Sequence, residues 1–242
     1  DPSVKSENIT FEITDADGDK STTEVTVNLE QAQGPGQQTA IVVDEAALDS
    51  VGSDPGSNAE HAVVRVDGYT IIEGGTGAHG TITQVDGQWV YTLTSPVQGP
   101  VQDDGAQLTG SDTVTITVRD EHGNTFEVEI PVDIRDDVPS ISAEGVTVTE
   151  GGEASAAITP SYGADVPAGS TVTVKNGTYQ ESGDHAGSYE VANGWVTISA
   201  DGKSYTFEAK PDIDPSVTSE NITFEITDAD DDKSTTEVTV NL

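Results

Sequence analysis

The stretch Asp214-Pro215-Ser216-Val217-Thr218-Ser219-Glu220-Asn221-Ile222-Thr223-Phe224-Glu225-Ile226-Thr227-Asp228-Ala229-Asp230-Asp231-Asp232-Lys233-Ser234-Thr235-Thr236-Glu237-Val238-Thr239-Val240-Asn241-Leu242 decides the fold. Ile222 to Thr227 and Thr236 to Leu242 alternate apolar with polar residues, the period-two pattern of a strand buried on one face. Between the two runs lies a turn crowded with carboxylates. Strand, acidic loop and strand make a hairpin, read here as the closing edge of a β-domain. The chain also opens on this segment. Asp1 to Leu29 matches Asp214 to Leu242 everywhere except Lys5/Thr218 and Gly18/Asp231.

A weaker copy stands midway, where Val114 to Asn124 and Glu127 to Ile134 repeat the strand, loop and strand order about 105 residues after the first. Upstream, Asp86-Gly87 leading into Trp89-Val90-Tyr91-Thr92-Leu93 corresponds to Asp201-Gly202 leading into Ser204-Tyr205-Thr206-Phe207, each an Asp-Gly turn before an aromatic strand. The predicted fold is all-β: tandem Ig-like β-sandwich domains of about 105 residues. A hairpin fragment of a preceding repeat at 1–29 comes before domains at 30–137 and 138–242. Seven strands are expected in the first domain and eight in the second. Glu30 to Gln38 reads as a Gly/Pro/Gln linker, Arg135 to Pro139 as a shorter one, and Glu45-Ala46-Ala47-Leu48 as one turn of helix.

The net charge is −35, from 44 acidic and 9 basic residues. Such a surface argues against nucleic acid, whose phosphates need Lys and Arg, and against direct contact with an anionic membrane. It leaves a solvated, solubilising surface or a set of sites for divalent cations. The chain has no cysteine, so a domain of this kind outside the cell takes its stability from something other than disulfides. Bound calcium is a natural substitute.

Asp15, Asp17 and Asp19, repeated as Asp228, Asp230 and Asp232, place three hard oxygen donors at alternate positions of a tight loop. Calcium takes about six to eight oxygens at about 2.3–2.6 Å, and such a loop can curl round one ion. It is no EF-hand, because the glycine comes at loop position four and the flanks are strands. The alternative is a hairpin turn in which Asp caps backbone amides. A final strand leaving at one pole of a sandwich puts the preceding loop at the opposite pole. The Asp228 to Asp232 loop should therefore face the linker residues Asp136 and Asp137 and form a shared cage. At the first junction Gln31 and Ala32 stand in place of Asp136 and Asp137, and the facing loop offers Asp120 and Asn124, with Glu30 nearby. Fewer charges predict weaker binding there.

The other motifs read as structure. His61, His79, His122 and His185 lack zinc-ligand spacing and are expected in solvated loops. Gly74-Gly75-Thr76-Gly77 reads as a loop. Asn8-Ile9-Thr10, Asn176-Gly177-Thr178 and Asn221-Ile222-Thr223 fit the glycosylation sequon by spelling alone. Trp89, Tyr91, Trp195 and Tyr205 are expected in the core rather than on a sugar platform. No cysteine nucleophile, G-x-S-x-G elbow or H-E-x-x-H motif appears, and enzyme activity is not expected.

A cysteine-free, acidic series of β-domains with an ITDADGD hairpin (Ile13 to Asp19), an aromatic Asp-Gly hairpin and the linker Asp136-Asp137-Val138-Pro139 resembles the extender repeats of giant RTX-type adhesins. The resemblance covers the whole chain. It implies Ig-like or cadherin-like modules exported by type I secretion to the bacterial surface, with Ca2+ at the junctions, in a calcium-stabilised stalk that carries a distal binding domain in cell adhesion and biofilm. Calcium ions and neighbouring repeats of the same chain are the implied partners. A recognition module acting through Val51 to Glu60 or Val97 to Gly110 is the alternative. The hairpin at 1–29, lacking its own domain, is expected to be disordered or to exchange strands with another chain.

Overall fold

Val, Ile and Thr alternate with polar residues along most of the chain, and β-branched residues favour a pleated surface with one face covered. The computed structural model describes residues 5–28, 32–98 and 107–242, with only the backbone at 107–109. Glu30 and most of the Val97 to Gly110 loop lie outside the described residues. Strands β1 (Ser6–Thr14) and β2 (Lys20–Asn28) form an antiparallel hairpin in register from Ser6↔Asn28 to Thr14↔Lys20.

The first sandwich contains β3 (Ile41–Asp44), β4 (His61–Val63), β5 (Thr70–Glu73), β6 (Gly75–Thr76), β7 (Gly80–Val85), β8 (Gln88–Leu93), β9 (Gln107–Arg119) and β10 (Thr125–Arg135). One sheet has the order β3-β10-β9-β5 and the other β4-β8-β7-β6. Val43, Ile71, Ile82, Leu93, Ile116 and Ile130 close the core between them. Strand β3 lies parallel to β10, pairing Ile41 with Val132 and Asp44 with Arg135.

The second sandwich contains β11 (Ser140–Ala143), β12 (Val146–Thr147), β13 (Glu153–Ser161), β14 (Thr173–Val174), β15 (Thr178–Tyr179), β16 (Tyr189–Glu190), β17 (Gly194–Ile198), β18 (Ser204–Ala209), β19 (Ser219–Thr227) and β20 (Lys233–Asn241). The orders β12-β20-β19-β14 and β11-β13-β18-β17-β16-β15 enclose a core around Val196, Phe207, Ile222, Phe224 and Val240. The parallel pairing of an early strand with the last one recurs, β12 with β20. Three short strands, β6, β11 and β15, escape sequence reading because two to four residues carry too little alternation.

Tyr91 and Tyr205 are core residues, as expected from their spacing. The Tyr205 hydroxyl donates to Glu144 O at 2.7 Å, and that of Tyr91 donates to Asp112 at 2.8 Å. Asp112 is buried, and it accepts from the amides of Ala78, His79, Gly80 and Thr113 as well. Burial would raise its pKa, but these hydrogen bonds outweigh burial and hold it below the ordinary carboxylate value. The turn at Ala78 to Gly80 that joins β6 to β7 is thus fixed by one aspartate, and Gly75–Thr76, expected as part of a loop, is a short strand paired with β7.

Two further expectations change. Gly34 packs so tightly on Phe126 that a Cβ would meet the ring at 3.0 Å, and the Tyr69 hydroxyl donates to Gln33 O at 2.8 Å. The Gly/Pro linker is therefore a docked strap from its third residue onward. Two of the four histidines, His79 and His185, are half-buried rather than solvated, whereas His61 and His122 are exposed. His185 stacks on Trp195 with ring centroids 3.7 Å apart and lies 3.4 Å from Glu208, while His61 contacts Thr92 and Glu60 and His79 contacts Pro96 O.

Candidate metal centre

The parallel pairing of β3 with β10 sets the residue after Asp44 beside the residue after Arg135. Glu45, in a turn of 3-10 helix capped by Asp44, consequently lies next to Asp136. Across the linker, the β13–β14 loop brings Asp165, and the β19–β20 turn brings Asp228, Asp230 and Asp232. Gly163 permits this approach, since it sits at φ +64° and a Cβ there would lie 2.3 Å from Asp137 O. The Ala229 amide donates to Asp165 O at 3.0 Å and locks the turn to the loop.

Glu45, Asp136, Asp137, Asp165, Asp228, Asp230 and Asp232 are all buried. Carboxylate oxygens of Glu45, Asp136 and Asp165 lie within 4.8 Å of one another, and so do those of Asp228, Asp230 and Asp232. Two unit charges at that distance repel by about 3.5 kcal/mol at an effective dielectric of about 20. Burial, with the nearby Asp165, Asp136 and Asp230, pushes the Glu45 pKa up to about 8. Burial and then Asp230, Asp137 and Asp232 push Asp165 up to about 7. Burial and then Asp230 and Asp232 raise Asp228 to about 8.

Hydrogen bonds relieve only part of this crowding: the Val97 amide donates to Glu45 Oε1 and the Asp232 amide to Asp228 Oδ1. Glu45 Oε2, Asp228 Oδ2 and both carboxylate oxygens of Asp165 and of Asp230 are buried without a donor. Buried polar atoms are nearly always paired, so six orphan acceptors shared between these two carboxylate groups leave room for cations. The donors are oxygens only, which matches a hard ion such as Ca2+ and not the nitrogen and sulfur preferences of zinc. Asp137 is used differently, since its oxygens accept from the amide and hydroxyl of Ser53 and fasten the first sandwich to the linker.

The other predicted ligands lie elsewhere. Asp15, Asp17 and Asp19 are close together but exposed. Asp15 accepts from the Asp19 amide at 2.9 Å, and hydrogen bonding from Asp17 and the Asp19 amide holds its pKa down. Asp120 spends both oxygens on its own turn, accepting from the amides of His122 and Asn124 and from Asn124 Nδ2. This loop shares a surface hollow with Ala32, Gln33 and Tyr69 and is not gathered with other carboxylates among the described residues.

Sequence reading overlooked Glu45 and Asp165. Glu45 could have been found from strand order, because a parallel first and last strand set the residues that follow them side by side. Asp165, in the loop Tyr162-Gly163-Ala164-Asp165, carries no local signal beyond its glycine.

No protein-family description matches the chain, and no curated protein does. Among solved structures, three titin Ig domains, I67–I69 in an E-to-A mutated variant, share 9% identity over 98% of this chain and 74% of that one, at a TM-score of 0.40. The protocadherin GammaB4 extracellular domain shares 14% over 98% of this chain and 37% of that one, at 0.32. The human desmocollin-1 ectodomain shares 15% over 98% and 44%, at 0.30. The chain thus spans under half the length of these two ectodomains. Likeness at this level says nothing about ligand or partner.

Proposed function

We propose that the chain is a calcium-stabilised extender segment of a bacterial surface adhesin, built from units at 30–137 and 138–242 and projecting a binding domain away from the cell. One observation carries this reading: seven buried acidic residues from both sandwiches and the linker converge with six oxygens that no donor reaches. Glu45, Asp136, Asp165, Asp228, Asp230 and Asp232 would hold the ions, and Asp137 would bind through whatever coordination Ser53 leaves. Bound calcium supplies positive charge that replaces mutual repulsion with attraction, so the two sandwiches become one rod. Affinity of the extracellular kind, on the order of 10⁻⁴–10⁻³ M, suits this role.

The junction at Gln31 and Ala32 is the softer one under this proposal. Its facing loop satisfies its own carboxylate, and its strap is held by Tyr69 and Phe126. Calorimetric titration is expected to give calcium binding that disappears with Asp165→Asn combined with Asp230→Asn and is untouched by Asp120→Asn. Solution scattering is expected to show a larger maximum dimension in calcium than in chelator. Equal dimensions in both, with no heat of binding, would sink the proposal.

A further inference from the structure

The hairpin β1–β2 duplicates β19–β20, whose socket this chain also contains. The two hairpins share their register, Ser6↔Asn28 matching Ser219↔Asn241 and Thr14↔Lys20 matching Thr227↔Lys233. Their outward polar bonds agree too: Thr26 Oγ1 donates to Asn8 as Thr239 Oγ1 does to Asn221. Only the inward face differs. Ile222, Phe224, Ile226, Val238 and Val240 are buried, whereas Ile9, Phe11, Ile13, Val25 and Val27 are all exposed.

What covers that face can be read from the seated copy. Phe224 lies against the Tyr205 ring at 4.9 Å, and β19 pairs with β14 through Val174↔Phe224. Asn176 brackets the strand, donating to Asn221 O and accepting from the Thr223 amide. Glu220 accepts from the amides of Ala192 and Asn193 at 2.8 and 2.7 Å. Every residue making these contacts has an identical counterpart: Glu7, Asn8, Thr10 and Phe11.

We propose that the socket of the second sandwich accepts β1–β2 of a second copy of this chain in place of its own β19–β20, so that chains associate head to tail by hairpin exchange. The hairpin cannot reach the socket of its own chain. Residue 28 would have to sit where Asn241 sits, at the far pole of the second sandwich. The strap is held at Gln33 beside Tyr69, at the opposite pole of the first sandwich from Arg135. Strand β10 alone, at 11 residues, spans about 36 Å, while the steps from 28 to 33 reach at most about 18 Å.

The resident hairpin has the advantage of its tether, which raises its effective concentration above that of any free copy. Exchange therefore becomes dominant once the resident hairpin is weakened. The incoming loop would bring Asp15, Asp17 and Asp19 to the positions of Asp228, Asp230 and Asp232. Exchange rests on the apolar face and works without any ion.

The test uses the full chain in chelator. Phe224→Asp is expected to convert monomer into a concentration-dependent series by light scattering, with mass climbing past twice that of one chain. Adding Phe11→Asp to that variant should return it to monomer. Because the chain has no cysteine, Thr10→Cys with Lys175→Cys adds a second readout: the Lys175 amide donates to Thr223 O at 2.8 Å, so an interchain disulfide forms when Thr10 takes the place of Thr223. A Phe224→Asp chain that stays monomeric at every concentration would overturn the proposal. So would a double variant that associates just as well, which would point to another surface, and so would the absence of the disulfide.

Discussion

Residues 5–28 and 218–241 put almost one sequence into two surroundings. Phe11 is 54% exposed and Phe224 0%; Ile13 is 71% exposed and Ile226 0%. Both turns close by the same bonds, the Asp19 amide to Asp15 at 2.9 Å and the Asp232 amide to Asp228 at 2.8 Å. Yet Asp15 has its pKa lowered by hydrogen bonds in its own turn, while Asp228 is raised by burial beside Asp230. Local sequence therefore fixes the hairpin, its register and its turn. Whether the apolar stripe contributes to stability, and whether the acidic turn is an ordinary cap or a crowded cage, depends on what the rest of the chain sets against it. Each buried Ile, Val or Phe contributes roughly 1.5–3 kcal/mol, and the bare copy gains none of it.

The largest effect should separate the copies outright. Phe224→Ala is expected to cost about 3–5 kcal/mol by leaving a cavity beside Tyr205. Phe11→Ala should change the unfolding free energy from urea titration by less than about 0.5 kcal/mol, as a surface substitution does. Equal losses would show that the first hairpin is covered in solution.

Two buried aspartates of the sandwiches extend the contrast, since Asp112 is surrounded by donors and Asp165 by other acids. Asp112→Ala should destabilise the first sandwich by about 3 kcal/mol, because buried amides at Ala78, His79 and Gly80 lose their acceptor. Its pH dependence has a definite sign. Folding lowers this pKa below 3.8, so the contribution is complete above that ordinary value and is lost as the pH falls through the lower folded one. Acid unfolding of the first sandwich should accordingly shift to higher pH in Asp112→Asn.

Asp165→Asn should act the other way in chelator, stabilising the second sandwich by on the order of 2 kcal/mol as one repelling charge is removed. The same change should reduce the rise in melting temperature on adding calcium. Asp15→Asn should do neither.

The smallest effect concerns the one turn position where the copies differ. Gly18 stands at φ +98° and Asp231 at φ +78°, a left-handed conformation that costs a residue bearing a Cβ about 1 kcal/mol. Asp231→Gly should raise the thermal midpoint by a few degrees. Gly18→Asp should leave it unchanged.

Much of this was legible in the sequence, and the reasons are local. Alternation in Ile222 to Thr227 and in Val114 to Val118 specifies strands and their buried faces, and the repeat itself yields tandem sandwiches. The turn carboxylates stand out because three alternate in five residues. Glu45 and Asp165 do not, because neither belongs to an alternating run of acids and each joins the cluster only through contacts between segments distant in sequence. The strap from Gln33 to Gln38 was hidden for the opposite reason, since a Gly/Pro/Gln composition describes chain stiffness and not the ring of Phe126 that it lies on.

Strand order has a mechanical consequence. In each sandwich an early strand and the last one run side by side in the same direction, so tension on the chain ends drags them past each other and loads their ladder in shear, all bonds together. The first sandwich resists over the four pairs from Ile41↔Val132 to Asp44↔Arg135, the second over Val146↔Val240 and Thr147↔Asn241 with one further bond from the Val148 amide to Asn241 O. Pulled from both ends, the chain should yield first in its second sandwich.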